Sequence, residues 1–192
     1  MGTSCVKEKN SDDSIRYKNF TDKRDGAIYN YVEIDGQVWM AENLDFVTDS
    51  GSWYYDDDAN NATPFGRLYN WKTACEVCPE GWHLPSDAEW LELVAFYGGV
   101  SAAGGKLKDV NTKYWGVPNE GATNESEFSA RGGGYFDFVD GFLNMGIKGM
   151  YHSKTENDSL YSSHLSISVN INEVDLYDGE KIDGYSIRCI KD

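Results

Sequence analysis

The stretch Cys78-Pro-Glu-Gly-Trp-His-Leu-Pro-Ser-Asp-Ala-Glu-Trp90 decides the architecture. Pro79 and Gly81 end any helix that precedes them, since proline fixes φ and lacks an N–H. Behind Pro85, Ser86 is a preferred N-cap. Glu89, three residues on, completes a capping box in which two side chains satisfy two orphan backbone donors. Trp90, Leu91, Leu93, Val94 and Tyr97 then supply an apolar stripe at helical spacing, and Gly98-Gly99 closes the helix. This is a packing signal and carries no chemistry of its own.

Upstream, Ala27 to Ile34 and Gln37 to Met40 are strand-like, and Asp35-Gly36 between them is a strong hairpin signal. Residues 45–66 read as a loop, with Gly51, Pro64 and the acidic run Asp56-Asp57-Asp58. A second helix is expected from about Leu68 to Val77. Downstream of Gly104 the pattern is short strands and long loops. Phe128 to Ala130 and Gly133 to Tyr135 read as strand pieces. Tyr161 to Val169 reads as a strand with Leu165, Ile167 and Val169 on one side, and Gly184 to Ile190 as the closing strand. Many aromatics and 20 glycines fit a fold of short strands and turns.

A chain of 192 residues fits one domain. Its 17 basic and 32 acidic residues give a net charge of −15, which repels phosphate backbones and anionic lipid surfaces. Nucleic-acid binding is therefore not expected. No apolar run is long enough to span a bilayer. Residues 1–25 are polar and without apolar periodicity, so they read as a tether that becomes ordered near Phe20, with the domain at 26–192. Met1 to Ser4 reads as an added start. Cys5, followed by the polar run from Val6, resembles the acylated N-terminal cysteine of a mature bacterial lipoprotein. The implied location is the cell exterior or the outer-membrane surface.

Several blocks converge on one family. They are Thr21 to Gly26 (TDKRDG), Gly36 to Leu44 (GQVWMAENL), Gly66 to Trp71 (GRLYNW), the stretch from Cys78 to Trp90, Gly104 to Lys108 (GGKLK), Phe128 to Ala130 (FSA) and Gly184 to Cys189 (GYSIRC). Their order and spacing resemble the Fibrobacter succinogenes major paralogous domain, over about residues 20–192. The resemblance implies an exported protein with an α+β, C-type-lectin-like fold: a small twisted antiparallel sheet, two helices and long loops. It supplies no settled activity. Leu84 to Trp90 is also similar to the formylglycine-generating-enzyme group, where it is a helix start, and fold likeness does not carry chemistry. That enzyme needs a reactive Cys pair late in the chain, whereas only Cys189 lies there. Two family blocks are altered. Tyr54 and Asn61 stand where relatives often carry a local Cys pair, and Tyr151-His-Ser-Lys-Thr-Glu156 stands where they often carry Trp-Trp-Ser-Ser-Thr-Glu.

The same resemblance implies a disulfide between Cys78 and Cys189, joining the first helix to the last strand and leaving Cys75 free. Two alternatives stay open for these cysteines: a Cys75-x-x-Cys78 redox pair, and a zinc site made of Cys75, Cys78, His83 and Cys189. Asp56, Asp57 and Asp58 offer oxygens to Ca²⁺, although contiguous carboxylates point in different directions. The triplets that hold Ca²⁺ and sugar in C-type lectins have only a partial match at Val117-Pro-Asn-Glu120. Aromatic rings in predicted loops are the other route to sugar recognition. The expected contact residues are Trp53, Tyr54, Tyr55, Trp115, Asn119, Tyr151 and His152. His152, Ser153 and Glu156 could be drawn as a triad, but no Gly-x-Ser-x-Gly elbow accompanies them. The expectation is a binding module for an extracellular glycan or protein, not an enzyme, with no cofactor unless Ca²⁺. The alternative is a structural surface protein packed in an assembly.

Overall fold

A computed structural model describes residues 18–192. In chain order the elements are β1 (Lys18–Thr21), β2 (Ile28–Ile34), β3 (Gln37–Met40), β4 (Ser52–Trp53), α1 (Ala62–Phe65), β5 (Leu68–Tyr69), α2 (Trp71–Ala74) and β6 (Trp82–His83). They continue with α3 (Asp87–Phe96), α4 (Ala103–Leu107), β7 (Gly133–Asp137), β8 (Gly141–Met145), β9 (Lys148–Glu156), β10 (Tyr161–Ser168), β11 (Val174–Glu180) and β12 (Ile190–Lys191). One five-stranded sheet has the order β1-β2-β3-β12-β6 and a second the order β11-β10-β9-β7-β8, while β4 and β5 form a small pair. The chain is thus α+β with mostly antiparallel sheets; among the described strand pairs, β7 with β9 is the parallel one, and Tyr151 of β9 adds a parallel bridge to Ser186.

The hairpin forms where Asp35-Gly36 places it. Both residues have positive φ, as a two-residue primed turn requires, and Ile34 pairs with Gln37. Helix α3 also forms as read. Ser86 accepts from the Glu89 N–H, and the Glu89 carboxylate accepts from the Ser86 N–H. Its Trp90, Leu93 and Val94 are buried, whereas Leu91 of the expected stripe faces out. They join Trp39, Phe128, Tyr151, Leu165 and Ile167 in one core; a second core gathers Met40, Leu44, Tyr69, Leu84 and Ile187.

Three expectations are corrected. Residues 68–77 are not one helix. Leu68 and Tyr69 are buried and paired as β5, Asn70 caps the next turn by accepting from the Thr73 N–H, and only Trp71–Ala74 is helical. Sheet pairing of Tyr69 with Tyr185 outweighs the local helical tendency. The order expected near Phe20 takes the form of strand β1, registered against Ile28 to Tyr31, so the fold begins at Lys18 and not at residue 26. The closing segment is not one strand either. Gly184 exchanges hydrogen bonds with Phe136, and Tyr185 with Tyr69. Ser186 reaches Met150 and His152, Ile187 accepts from Leu44, and Cys189 from Met40. Residues 184–191 therefore stitch the sheets together.

Two buried cations lock this arrangement. The Arg188 guanidinium donates to the Asn43 side chain (2.7 Å) and to the carbonyls of Met40, Phe128 and Ser129. Burial without a hydrogen-bonded carboxylate lowers its pKa to about 10. The Lys108 ammonium donates to the carbonyls of Glu120, Ser168 and Ile171 at 2.7–3.0 Å, and burial lowers it to about 8. Each charge is buried, and every nitrogen that carries it donates a hydrogen bond, which is the condition under which burial is tolerated.

A candidate binding groove around Glu42 and Arg131

Most of the expected contact residues are absorbed by packing. Trp115 is 1% exposed and donates its indole N–H to the Ala130 carbonyl. Tyr151 is fully buried beside Trp90 and Phe128. His152 is fully buried too, with Nε2 2.6 Å from the Tyr69 carbonyl. None of the three presents a face to a ligand, and a buried His152 rules out the sketched triad. They are correctly aromatic positions, placed inward because sheet and helix close over them. Trp53 is half-buried and stacks on Phe136, with centroids 4.5 Å apart. The Arg67 guanidinium covers the Tyr54 ring, and Tyr55 packs against Phe142. Asn119 donates to the Asp109 carbonyl. These residues do not converge on one groove.

The metal readings fare similarly. Asp58 accepts from the Asn60 N–H and side-chain amide, capping its own turn, while Asp56 and Asp57 both have positive φ. Among the described residues no three His, Cys, Asp or Glu side chains gather as a metal-holding group. Cys78 is bonded to Cys189 across 111 residues, with Cα atoms 6.0 Å apart. That bond removes both the redox pair and the zinc site. His83 instead bridges Glu89 and Asp192, at 2.8 and 2.6 Å. Cys75 is a half-buried free thiol whose pKa burial pushes up, so it is not a poised nucleophile.

A different set of side chains does converge. After β3 the chain runs through residues 41–50 without regular structure. Three cavities follow this segment in order. One of about 120 Å³ is lined by Ala41, Glu42, Asp109 and Arg131. One of about 210 Å³ shares Glu42 and Arg131 and adds Asp45 and Thr63. One of about 410 Å³ is lined by Phe46, Thr48, Asp49, Ser50, Lys72 and Glu76, among others.

Arg131 is the centre of the first two. It is only 9% exposed, and the Tyr114 ring lies 4.5 Å from its guanidinium. Nη1 donates to the carbonyls of Pro64 (3.0 Å) and Thr63 (3.4 Å). Nη2 lies 3.7 Å from Glu42 Oε1, beyond hydrogen-bond reach, and Nε has no partner. Nε is itself buried, and Nη2 is held only by this loose ion pair with Glu42. Tyr151 has a role here after all: its hydroxyl accepts from the Arg131 N–H and donates to the Arg131 carbonyl, fixing the backbone that carries the guanidinium. Glu42 is held by accepting the Asn30 N–H at 2.9 Å. Asp45 keeps one buried oxygen without a partner. Burial pushes its carboxyl up to about 6 against the pull of Arg67. The groove thus offers a fixed cation, a fixed carboxylate and a carboxyl that takes a proton near pH 6.

The family model described as Fibrobacter succinogenes major domain matches residues 32–191. The chain belongs to that family. Within the Fibrobacter succinogenes major domain, Glu42 and Asn43 lie in the GQVWMAENL block, Arg131 directly follows FSA, and Arg188 lies in GYSIRC. Comparison with curated proteins and with solved structures finds no match. The sequence reading used these blocks as markers of kinship and missed Glu42, Asp45 and Arg131 as site residues. The available signal was charge inside otherwise apolar or Gly-rich runs: Glu42 after Met40-Ala41, and Arg131 between Ala130 and three glycines. No helix among the described residues is long and apolar enough to cross a membrane.

Proposed function

We propose that this domain is the binding module of an exported, surface-exposed protein, and that it recognises an extracellular glycan or protein through the Glu42–Arg131 groove. The observation that carries the reading is Arg131: a guanidinium buried to nine-tenths, its backbone fixed by Tyr151, that lines an open cavity with Glu42 3.7 Å from Nη2 and not hydrogen-bonded to it. The Nη2 donor and the Glu42 carboxylate stand too far apart to hydrogen-bond each other, and a ligand hydroxyl between them would give each a closer partner. The C-type-lectin-like arrangement, with the segment after α2 tied to the residue before β12 by Cys78–Cys189, is part of the same proposal, as is a lipid anchor at Cys5, which lies outside the described residues. Neither Ca²⁺ nor catalysis is assigned.

A glycan array probed with and without EDTA, alongside binding to extracellular proteins, tests this. Arg131→Lys keeps the charge and loses the planar fork, so it is expected to weaken binding roughly ten-fold or more, in line with the loss of a charge-assisted pair. Binding that is unchanged in Arg131→Lys and Glu42→Gln would end the groove reading. One observation favours the second reading, a packed assembly subunit. Phe138 and Val139, at the tip of the β7–β8 hairpin, are 64% and 87% exposed. Light scattering that shows a defined oligomer, lost in Val139→Asp, would support it.

A further inference from the structure

We infer that the ligand of this groove is an amino sugar, held through a free ammonium group and the hydroxyl beside it. This rests on the groove being the binding site and adds the class of ligand.

The wall that a ligand meets is negative. Glu42, Asp45 and Asp109 line the two cavities that Arg131 also lines. Two further guanidiniums are within electrostatic reach, Arg67 of Asp45 and Arg188 of Glu42 and Asp109, but neither lines a cavity. Arg188 is fully buried and gives its nitrogens to Asn43 and three carbonyls. Arg67 is buried over the Tyr54 ring and donates to Ser52. Arg131 itself gives Nη1 to Pro64 and Thr63. The cations thus stand behind the carboxylates, and an approaching cation is favoured over an anion.

Hydrogen bonding adds a hydroxyl. Arg131 Nη2 and Glu42 Oε1 are 3.7 Å apart, and a hydroxyl both accepts and donates, so it can serve the two together. Both ends are held in place: Glu42 accepts the Asn30 N–H, and Tyr151 fixes the Arg131 backbone. Asp45 shares the larger cavity with them, so an ammonium next to that hydroxyl meets a second carboxylate. A vicinal amino alcohol carries these two groups on adjacent carbons. A lysine side chain has the ammonium without the hydroxyl, and a neutral sugar has the hydroxyl without the ammonium.

Size points to one ring. The cavities, about 210 and 120 Å³, are smaller than the roughly 300–1,000 Å³ of sites that enclose a drug-sized ligand. Ile28, exposed and lining the larger one, offers an apolar contact to the C–H face of a ring.

Asp45 also makes the attraction pH-dependent. Burial and the exposed Asp25 raise its carboxyl to about 6 against the pull of Arg67. The Tyr29 phenol beside it is pushed up by burial and stays neutral across this range. A sugar ammonium keeps its proton to about pH 8 if it titrates like an α-amino group. Its attraction to the groove therefore grows from pH 5 to pH 7, as Asp45 ionises.

The test is NMR titration of isotope-labelled protein with the methyl glycosides of glucosamine, galactosamine and mannosamine. Each is run beside its N-acetylated, neutral and uronic-acid counterparts, with Nα-acetyl-lysine methylamide as the protein-like probe. At pH 7 one free-amine sugar is expected to bind roughly ten-fold tighter than its counterparts, the worth of one charge-assisted contact, with shifts at residues 42–45 and 131. The preference should shrink at pH 5, and Asp45→Asn should remove both the preference and its pH dependence. The comparison within the wild-type protein holds even if that variant does not fold. A neutral or acidic sugar that binds the groove as tightly would overturn the amine assignment and spare the groove. The lysine probe binding as tightly as the amino sugar would overturn the sugar in favour of a protein ligand. Binding that needs added Ca²⁺, or an amine preference that survives in both Asp45→Asn and Glu42→Gln, would overturn the direct ammonium contact. If no probe shifts these residues, the amino-sugar inference is overturned, and the array with Arg131→Lys decides the groove separately.

Discussion

At the residue scale, buried ionisable groups dominate. His152 and His164 face each other across β9 and β10, with the Tyr185 ring 4.9 and 4.6 Å from them. Burial holds His152 at about 3 and His164 at about 4, each below the usual 6.5. The folded state refuses protons that the unfolded chain accepts. Stability from this pair is therefore intact above pH 6.5 and falls as pH drops toward 3–4, by up to about 1.4 kcal/mol per unit for each histidine. Asp45 works in the opposite sense. Its raised pKa favours the folded state at low pH and loses that contribution as pH rises through about 6. Urea midpoints measured at pH 7 and pH 5 are expected to fall on acidification, and His164→Gln should flatten the dependence; a steeper dependence in that variant would contradict the assignment. For Arg188, truncation to Ala leaves three carbonyls and the Asn43 oxygen without their donor in the core. A loss of roughly 3 kcal/mol or more is expected in chemical denaturation. A loss under 1 kcal/mol would mean that water replaces the guanidinium without penalty.

At the element scale, local chemistry and tertiary pairing compete, and different elements settle differently. Helix α3 is specified from within: its capping box forms, and Gly98 and Gly99 take positive φ beyond it. Ser86→Ala removes the cap and is expected to cost roughly 1 kcal/mol, read as a lower denaturation midpoint with an unchanged slope. His83 adds a surface tie to the same helix. Burial opposes its protonation, but hydrogen bonds and charge from Glu89 and Asp192 raise its pKa overall. That tie is present in acid and lost as pH rises through the folded value, so Ser86→Ala and His83→Gln should be closest to additive at high pH. The segment around β5 shows the reverse outcome. Leu68 and Tyr69 bury themselves as a strand paired with Ser52 and Trp53, and Tyr69 also bridges to Tyr185, more than a hundred positions away. Gly51 and Gly66 permit that approach. A Cβ at Gly66 would lie 2.7 Å from the Leu44 carbonyl oxygen, so no larger residue fits there; at Gly51 it would lie 2.4 Å from Thr73 Oγ1, and the positive φ strains any side chain at either turn.

At the scale of the whole molecule, one long covalent loop and one C-terminal segment hold two sheets together. The Cys78–Cys189 bond closes 111 residues, for which chain entropy alone gives roughly 4–5 kcal/mol. Reduction is expected to lower the thermal midpoint by well over 5 °C without changing far-UV dichroism at room temperature, since Ile187 and Cys189 remain in the second core. A midpoint unmoved by reduction would show that residues 184–191 hold the sheets unaided.

What the sequence determined by itself was the family, the α+β class, the Asp35-Gly36 hairpin, the capped helix and, through kinship, the disulfide pair. All of these depend on short-range chemistry or on whole blocks of motif, which a linear reading sees directly. Tertiary structure alone decided which aromatics are core and which charges meet. Trp115, Tyr151 and His152 looked like ligand platforms because a ring reads the same in a loop or in a core. Glu42, Asp45 and Arg131 looked like family markers because their meaning lies in Arg131 being carried back against the Ala41–Asp45 segment across about ninety positions of chain. Burial is a sum over many distant partners, so no local pattern of residues announces it, and an unsatisfied donor becomes visible only when its neighbours are in place.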